Sequence, residues 1–168
     1  ERQSKVSVEH FAKPWLPGGA FRRFMDCLPP ILGAADLCRS AEAIARAAEN
    51  GKTVLLGMGA HPIKVGLNPL IIHGMESGLL SGIAMNGAGI IHDVEIALAG
   101  KTSEDVAAHL GRGRFGTARE TSEFIHGAVR KAHMQLGKGL GQAIGEALLA
   151  EEAPYRDSSI LAAAARCG

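Results

Sequence analysis

Apolar residues recur along this chain in two rhythms, and the change between them predicts its elements. Between Ile31 and Glu49, Ala41, Ile44, Ala45 and Ala48 fall on one face at helical spacing. Ser40 is a possible cap within that stretch, which reads as one helix or two, and Asn50-Gly51 supplies its stop. The rhythm then changes. Thr53-Val54-Leu55-Leu56 is a continuous run that predicts a strand covered on both faces, as in a parallel sheet. Ile83–Met85 is a second such run, and Pro69 to Glu76 between them predicts a helix. Two apolar strands separated by one helix-length segment predict parallel neighbours joined by a right-handed crossover.

The flanking segments read as mostly helical. Residues 1–19 are irregular, broken by Pro14, Pro17, Gly18 and Gly19. Phe21 to Leu28 forms one or two turns before Pro29-Pro30. Gly89 to Ala99 carries Ile90, Val94, Ala97 and Leu98 on one face. Thr102 or Ser103 caps a short helix with Val106, Ala107 and Leu110. In Ala118 to Gln135, Phe124, Ile125, Ala128, Val129 and Ala132 face one way. Helices are further predicted over Leu140–Glu151 and, capped by Ser158 or Ser159, through Ala165. Arg166-Cys167-Gly168 stops that helix, and in alternating chains a strand follows such a stop, so further strands are expected beyond it. The expectation is one α/β domain over residues 1–168, a Rossmann-like parallel sheet with helices on both faces. Within it, 1–50 is an irregular and helical N-terminal part and 51–168 carries the βα units.

Composition narrows the function classes. The 168 residues carry a net charge of +1, which gives no electrostatic case for nucleic acid. Arg112, Arg114 and Arg119 cluster without interleaved aromatics. Cys27, Cys38 and Cys167 are odd in number and widely spaced, which argues for a reducing compartment and against a disulfide framework or thiolate zinc site. No uncharged apolar run reaches membrane-spanning length, and the first ten residues lack the apolar core of a signal peptide. A cytoplasmic protein with no membrane partner is the expectation. The chain starts without Met, so its first residue is not expected to be the native start.

The candidate chemistry sits where the strands end. Gly57-Met58-Gly59-Ala60-His61-Pro62 follows the first strand, and Asn86-Gly87-Ala88-Gly89 follows the second. A glycine turn between a strand and a helix aims backbone N–H groups at an anion such as a pyrophosphate. The third glycine of the dinucleotide fingerprint is absent from both, with Pro62 or His92 in its place. Two sharp turns with no ligand remain an alternative. Gly51-Lys52-Thr53 and Gly100-Lys101-Thr102 imitate a P-loop but follow helices and lack its first glycine. His92, Asp93 and Glu95 form the densest polar cluster near a loop, with His92 and Glu95 on one helix face. A third metal ligand is missing, so no metal is expected. No Gly-x-Ser-x-Gly elbow exists, and nucleophilic hydrolysis has no support.

The stretch from Leu56 to Leu98 resembles deoxyhypusine synthase. Leu56-Gly57 matches that family's first strand end, and Gly66-Leu67 the helix start after it. Asn86 to Asp93 matches its second motif without a gap, at the same separation, and Ser158 to Gly168 is similar to the helix leading to its next strand. The resemblance implies a parallel α/β fold that binds NAD. The implied contacts are Gly57, Gly59, Ala60, His61 and Ile63 after the first strand and Asn86, Gly87 and Ala88 after the second. It implies catalytic residues at His92 and Asp93, a small-molecule substrate of the amine class, and a homotetramer. Where the family has two acids before its Asp, this chain has Ile91-His92. His92 in a first helical turn beside Asp93 is then a candidate general base. The alternatives are a non-catalytic nucleotide-binding module and a sugar-phosphate-binding α/β domain.

Overall fold

The structure, a computed structural model, describes residues 6–103, 105, 118–134 and 138–168. Two compact units divide between Lys52 and Thr53, close to the expected boundary between the N-terminal part and the βα units.

The first unit holds a 3-10 turn at Val8–His10, helix α1 at Phe21–Cys27 and helix α2 at Leu32–Glu49. The turn lies in the stretch expected to be irregular, where Ser7 and His10 form a capping box. Trp15 meets Phe24 edge-on at 6.3 Å, and Phe21 lies 6.0 Å from Phe24. Helix α2 is continuous, with Ser40 inside it rather than capping a second piece. Asn50 ends it, its side-chain amide donating to the Arg46 carbonyl at 2.7 Å, and Gly51 follows at φ +62°. No residue from Val6 to Lys52 is buried. Helix α2 therefore leans on exposed ion pairs such as Arg46–Glu42, worth about 0.3–0.5 kcal/mol each.

The second unit is mixed α/β. Strand β1 (Leu55–Met58) pairs parallel with β2 (Gly82–Met85) in the register Leu55 to Gly82 through Met58 to Met85. Helices α3 (His61–Lys64) and α4 (Asn68–Glu76) connect them. The parallel pairing follows the sequence pattern, but β1 lies two residues later than the expected Thr53–Leu56. The reason is lateral: Val54 and Ser81 bond each other first, backbone N–H to Ser81 Oγ at 3.0 Å and Ser81 N–H to the Val54 carbonyl at 2.9 Å. The ladder then runs on through Gly57 because Ala84 stands opposite it. Pairing overrides the local preference of glycine for a break.

Helix α5 (Gly87–Ala99) leaves β2 after a single residue. Helices α6 (Arg119–His133), α7 (Leu140–Ala150) and α8 (Ile160–Cys167) follow. The expected helix with Val106, Ala107 and Leu110 lies outside the described residues. Val94, Ala97, Ala128, Ile144, Leu148, Leu161 and Ala162 make one core, between α5, α6, α7 and α8. Ile63, Ile71, Ile72, Met75, Ile160 and Ala163 make a second, which takes Leu56, Met58, Ile83 and Met85 from the sheet. Those four side chains share one sheet face. On the other face, Leu55 is 64% exposed, and Gly57 and Ala84 are exposed too. The expected covering of both faces is therefore replaced, among the described residues, by burial of one. An all-apolar run reads as two-sided, yet here the described helices of this unit gather on a single side.

Helices α7 and α8 approach closely at Gly145. A Cβ there would fall inside contact distance of the Leu161 carbonyl and 2.9 Å from Ala165 Cβ. Gly145→Ala is expected to cost about 2–3 kcal/mol through overpacking. Urea denaturation of the two proteins checks this; equal midpoints would show that the helices separate freely.

Candidate functional site

The carboxyl ends of the strands lie side by side, because Met58 and Met85 are partners in the ladder. Each chain then turns at once into a helix. After β1 come Gly59 and Ala60, then α3, whose early Pro62 suits a helix start. The apolar pattern does not predict that single turn, although Pro62 is its local signal. After β2, the Asn86 side chain accepts the Gly89 N–H at 3.0 Å and caps α5. Gly87 and Ala88 therefore belong to the first turn of α5 and not to a loop. Residues with few local preferences take the helical form once a side-chain cap fixes the start.

Of the residues implied for cofactor contact, Gly57, Gly59, His61, Asn86, Gly87 and Ala88 are exposed around these strand ends. Gly57 lies within β1. Ala60 and Ile63 turn into the core at 9% and 3% exposure. Nothing stands within 4 Å of a Cβ placed at Gly57 or Gly87, and only Asn86 Nδ2, at 3.7 Å, approaches one at Gly59. The surface is thus open to close backbone approach, and first-turn N–H groups have no partner within their own helix. These features fit a pyrophosphate. A cavity of about 550 Å³ runs along Ile83, Ala84 and Met85 toward α8, and Gln142 is the one polar side chain in its lining.

Asp93 has a different task. It is fully buried and accepts four hydrogen bonds. Ser159 Oγ donates to Oδ2 at 2.6 Å and the Leu161 N–H to the same oxygen at 3.0 Å. The Ile160 N–H reaches Oδ1 at 2.9 Å, and Asn68 Nδ2 reaches it at 3.3 Å. A carboxylate from α5 thus sits on the N-terminus of α8, where the positive end of the helix favours it. Ser159 completes the cap by accepting the Ala162 N–H at 3.0 Å. The carboxylate is closed to solvent, so the role implied for Asp93 at a substrate gives way to a structural one. The sequence signalled Ser159 as a cap; nothing in it paired Asp93, Ser159 and Asn68, which lie far apart along the chain.

His92 stands beside Asp93 but points elsewhere. Because α5 begins at Gly87, His92 is in the second turn, roughly 7–8 Å along the axis from the helix start. The expected place in the first turn is thus not the one His92 takes. Its Nδ1 lies 2.6 Å from Thr102 Oγ1 and 3.2 Å from Glu95 Oε2. The Thr102 hydroxyl donates in turn to Glu95. The His92 and Glu95 side chains are 21% and 19% exposed. The sequence placed His92 and Glu95 on one face; Thr102, read there as a cap, joins them by folding back along α5. Among the described residues no group of three His, Cys, Asp or Glu could hold a metal ion, and no helix is long and apolar enough to cross a membrane.

Compared with known proteins, the chain matches no family model, no curated protein and no solved structure.

Burial pushes the Asp93 carboxyl above its ordinary value of 3.8, outweighing the four donors, which each pull it down. The folded protein therefore binds this proton more tightly than the unfolded chain does. Relative to Asp93→Asn, which cannot ionise, wild-type stability should fall as pH rises from about 3.8 through the folded-state value and then level off. Denaturation of both proteins across that range tests the sign. Asp93→Ala strands two backbone N–H groups, Ser159 and Asn68, and should cost about 3 kcal/mol or more at neutral pH.

Proposed function

We propose that this chain binds NAD across the carboxyl ends of β1 and β2 and acts as part of an NAD-dependent enzyme of the deoxyhypusine synthase type on a small amine. The observation that carries the proposal is the pair of adjacent parallel strands, each running through glycine into a helix. In this reading the backbone at Gly59 and His61 and the first turn of α5 at Gly87 and Ala88 hold the pyrophosphate. Asn86 keeps that turn formed by capping it, and its amide borders Gly59. When bound, NAD supplies a hydride acceptor. His92, in the second turn of α5, takes up a proton. Ala60 and Ile63 act from beneath, packing α3 against the core so that the turn above them is rigid. The two parallel strands with helices leaving their carboxyl ends and the resemblance between Leu56 and Leu98 support this reading, as does the open space at Gly57 and Gly87.

A second reading, a non-catalytic nucleotide-binding module, is favoured by one observation: the Asp93 carboxylate is buried and fully engaged in the fold. Assembly belongs to both readings. We infer a homo-oligomer, a tetramer by the resemblance, and the lack of any buried residue between Val6 and Lys52 supports it.

Isothermal titration with NAD separates the possibilities. Binding is expected for the wild type, and Gly87→Val should weaken it at least about tenfold, ~1.4 kcal/mol, by filling the approach. Unchanged circular dichroism would show that the fold survives, since nothing lies within 4 Å of the new Cβ. Equal affinity in the two proteins removes the site. Binding of inorganic phosphate without NAD would instead favour the sugar-phosphate alternative, and NAD binding with no amine-dependent NADH formation the module. Light scattering that reports a monomer at micromolar concentration would remove the assembly.

A further inference from the structure

We propose that Glu95 and Thr102 hold His92 in one tautomer, with the proton on Nδ1, so that Nε2 presents its lone pair as a proton acceptor. This deepens the catalytic reading above and rests on it for the substrate alone.

The inference follows from counting protons. Three polar atoms meet in mutual contact: His92 Nδ1 with Thr102 Oγ1 at 2.6 Å, His92 Nδ1 with Glu95 Oε2 at 3.2 Å, and Thr102 Oγ1 with Glu95 Oε2. A carboxylate only accepts, and a hydroxyl brings one proton. The Thr102 hydroxyl spends its proton on Glu95. The contacts of Nδ1 then lack a hydrogen unless Nδ1 carries one, which it shares between Thr102 Oγ1 and Glu95 Oε2. With Nδ1 unprotonated, its lone pair would instead face two oxygens carrying no proton toward it. In the neutral ring, a proton on Nδ1 leaves Nε2 bare. A carboxylate that fixes one ring nitrogen and frees the other is the usual way a histidine is set as a base.

The same geometry answers where charge goes. A proton leaves an N–H or O–H of the substrate and bonds to Nε2. The electron pair of the broken bond stays on the substrate atom. The imidazolium so formed keeps its Nδ1–H toward Glu95 at 3.2 Å, an ion pair that exists only after transfer. Glu95 and Thr102 are thus positioning residues, and His92 is the group that meets the substrate. The partial burial of His92 and Glu95, 21% and 19% exposed, limits competition from water while leaving a path to the ring.

Nitrogen-15 magnetic resonance of the whole chain tests this directly, with the His92 signals assigned by their loss in His92→Gln. The neutral ring in the wild type should show Nδ1 protonated and Nε2 bare. Glu95→Ala and Thr102→Val should each shift the ring to a mixture containing the Nε2–H form. A wild-type His92 with its proton on Nε2 overturns the inference, and needs no variant to fold. So does an unchanged tautomer in both folded variants. The NAD titration is independent: a failed titration with Nδ1 protonated retires the cofactor and leaves the proton acceptor standing.

Discussion

The contact on which the second unit depends is the carboxylate of Asp93 seated on the N-terminus of α8. Eight residues make too short a helix to hold alone. Its first N–H groups find their acceptors in Asp93 and Ser159, and Asn68 of α4 joins from the side. Hydrogen bonds to a charged group contribute about 1.5–3 kcal/mol each, against the cost of burying the charge. What the network secures is placement. Helix α8 divides the two cores, giving Leu161 and Ala162 to one and Ile160 and Ala163 to the other. Turning α8 by one residue would spoil both.

That placement reaches the strands. Ile160 and Ala163 belong to the core that takes Leu56, Met58, Ile83 and Met85. A sheet of two four-residue strands is marginal by itself. Here its stability comes from the helices gathered on one face. The strand ends are therefore positioned by helix packing, and the glycines beyond them inherit a fixed geometry from the methionine pair at the end of the ladder.

His92 and Asp93 show how one helix serves two purposes. Successive helical residues point about 100° apart. Asp93 turns inward to fix α8, while His92 turns along the surface to Glu95 and Thr102. A polar pair that looks like one site in the sequence is divided by the helix: Asp93 serves the fold, and His92 joins a separate cluster with Glu95 and Thr102.

Much of the fold was legible in the residues themselves. Helical periodicity located α2, α4, α5, α6, α7 and α8 to within a few residues, since each stripe of apolar side chains records the face that is buried. Two apolar runs with a helix between them announced parallel pairing, and the Ser158-Ser159 pair announced a cap, because both depend on neighbours close along the chain. The pairing of His92 with Glu95 was legible for the same reason. Other features were decided by the tertiary structure. The start of β1 at Leu55 follows from Ser81, the one-sided sheet from where the helices gather, and the burial of Asp93 from residues 25 and 66–68 positions away. Local pattern carries the energy of turns and helices. Which polar group ends up inside is set by partners that only the folded chain brings together.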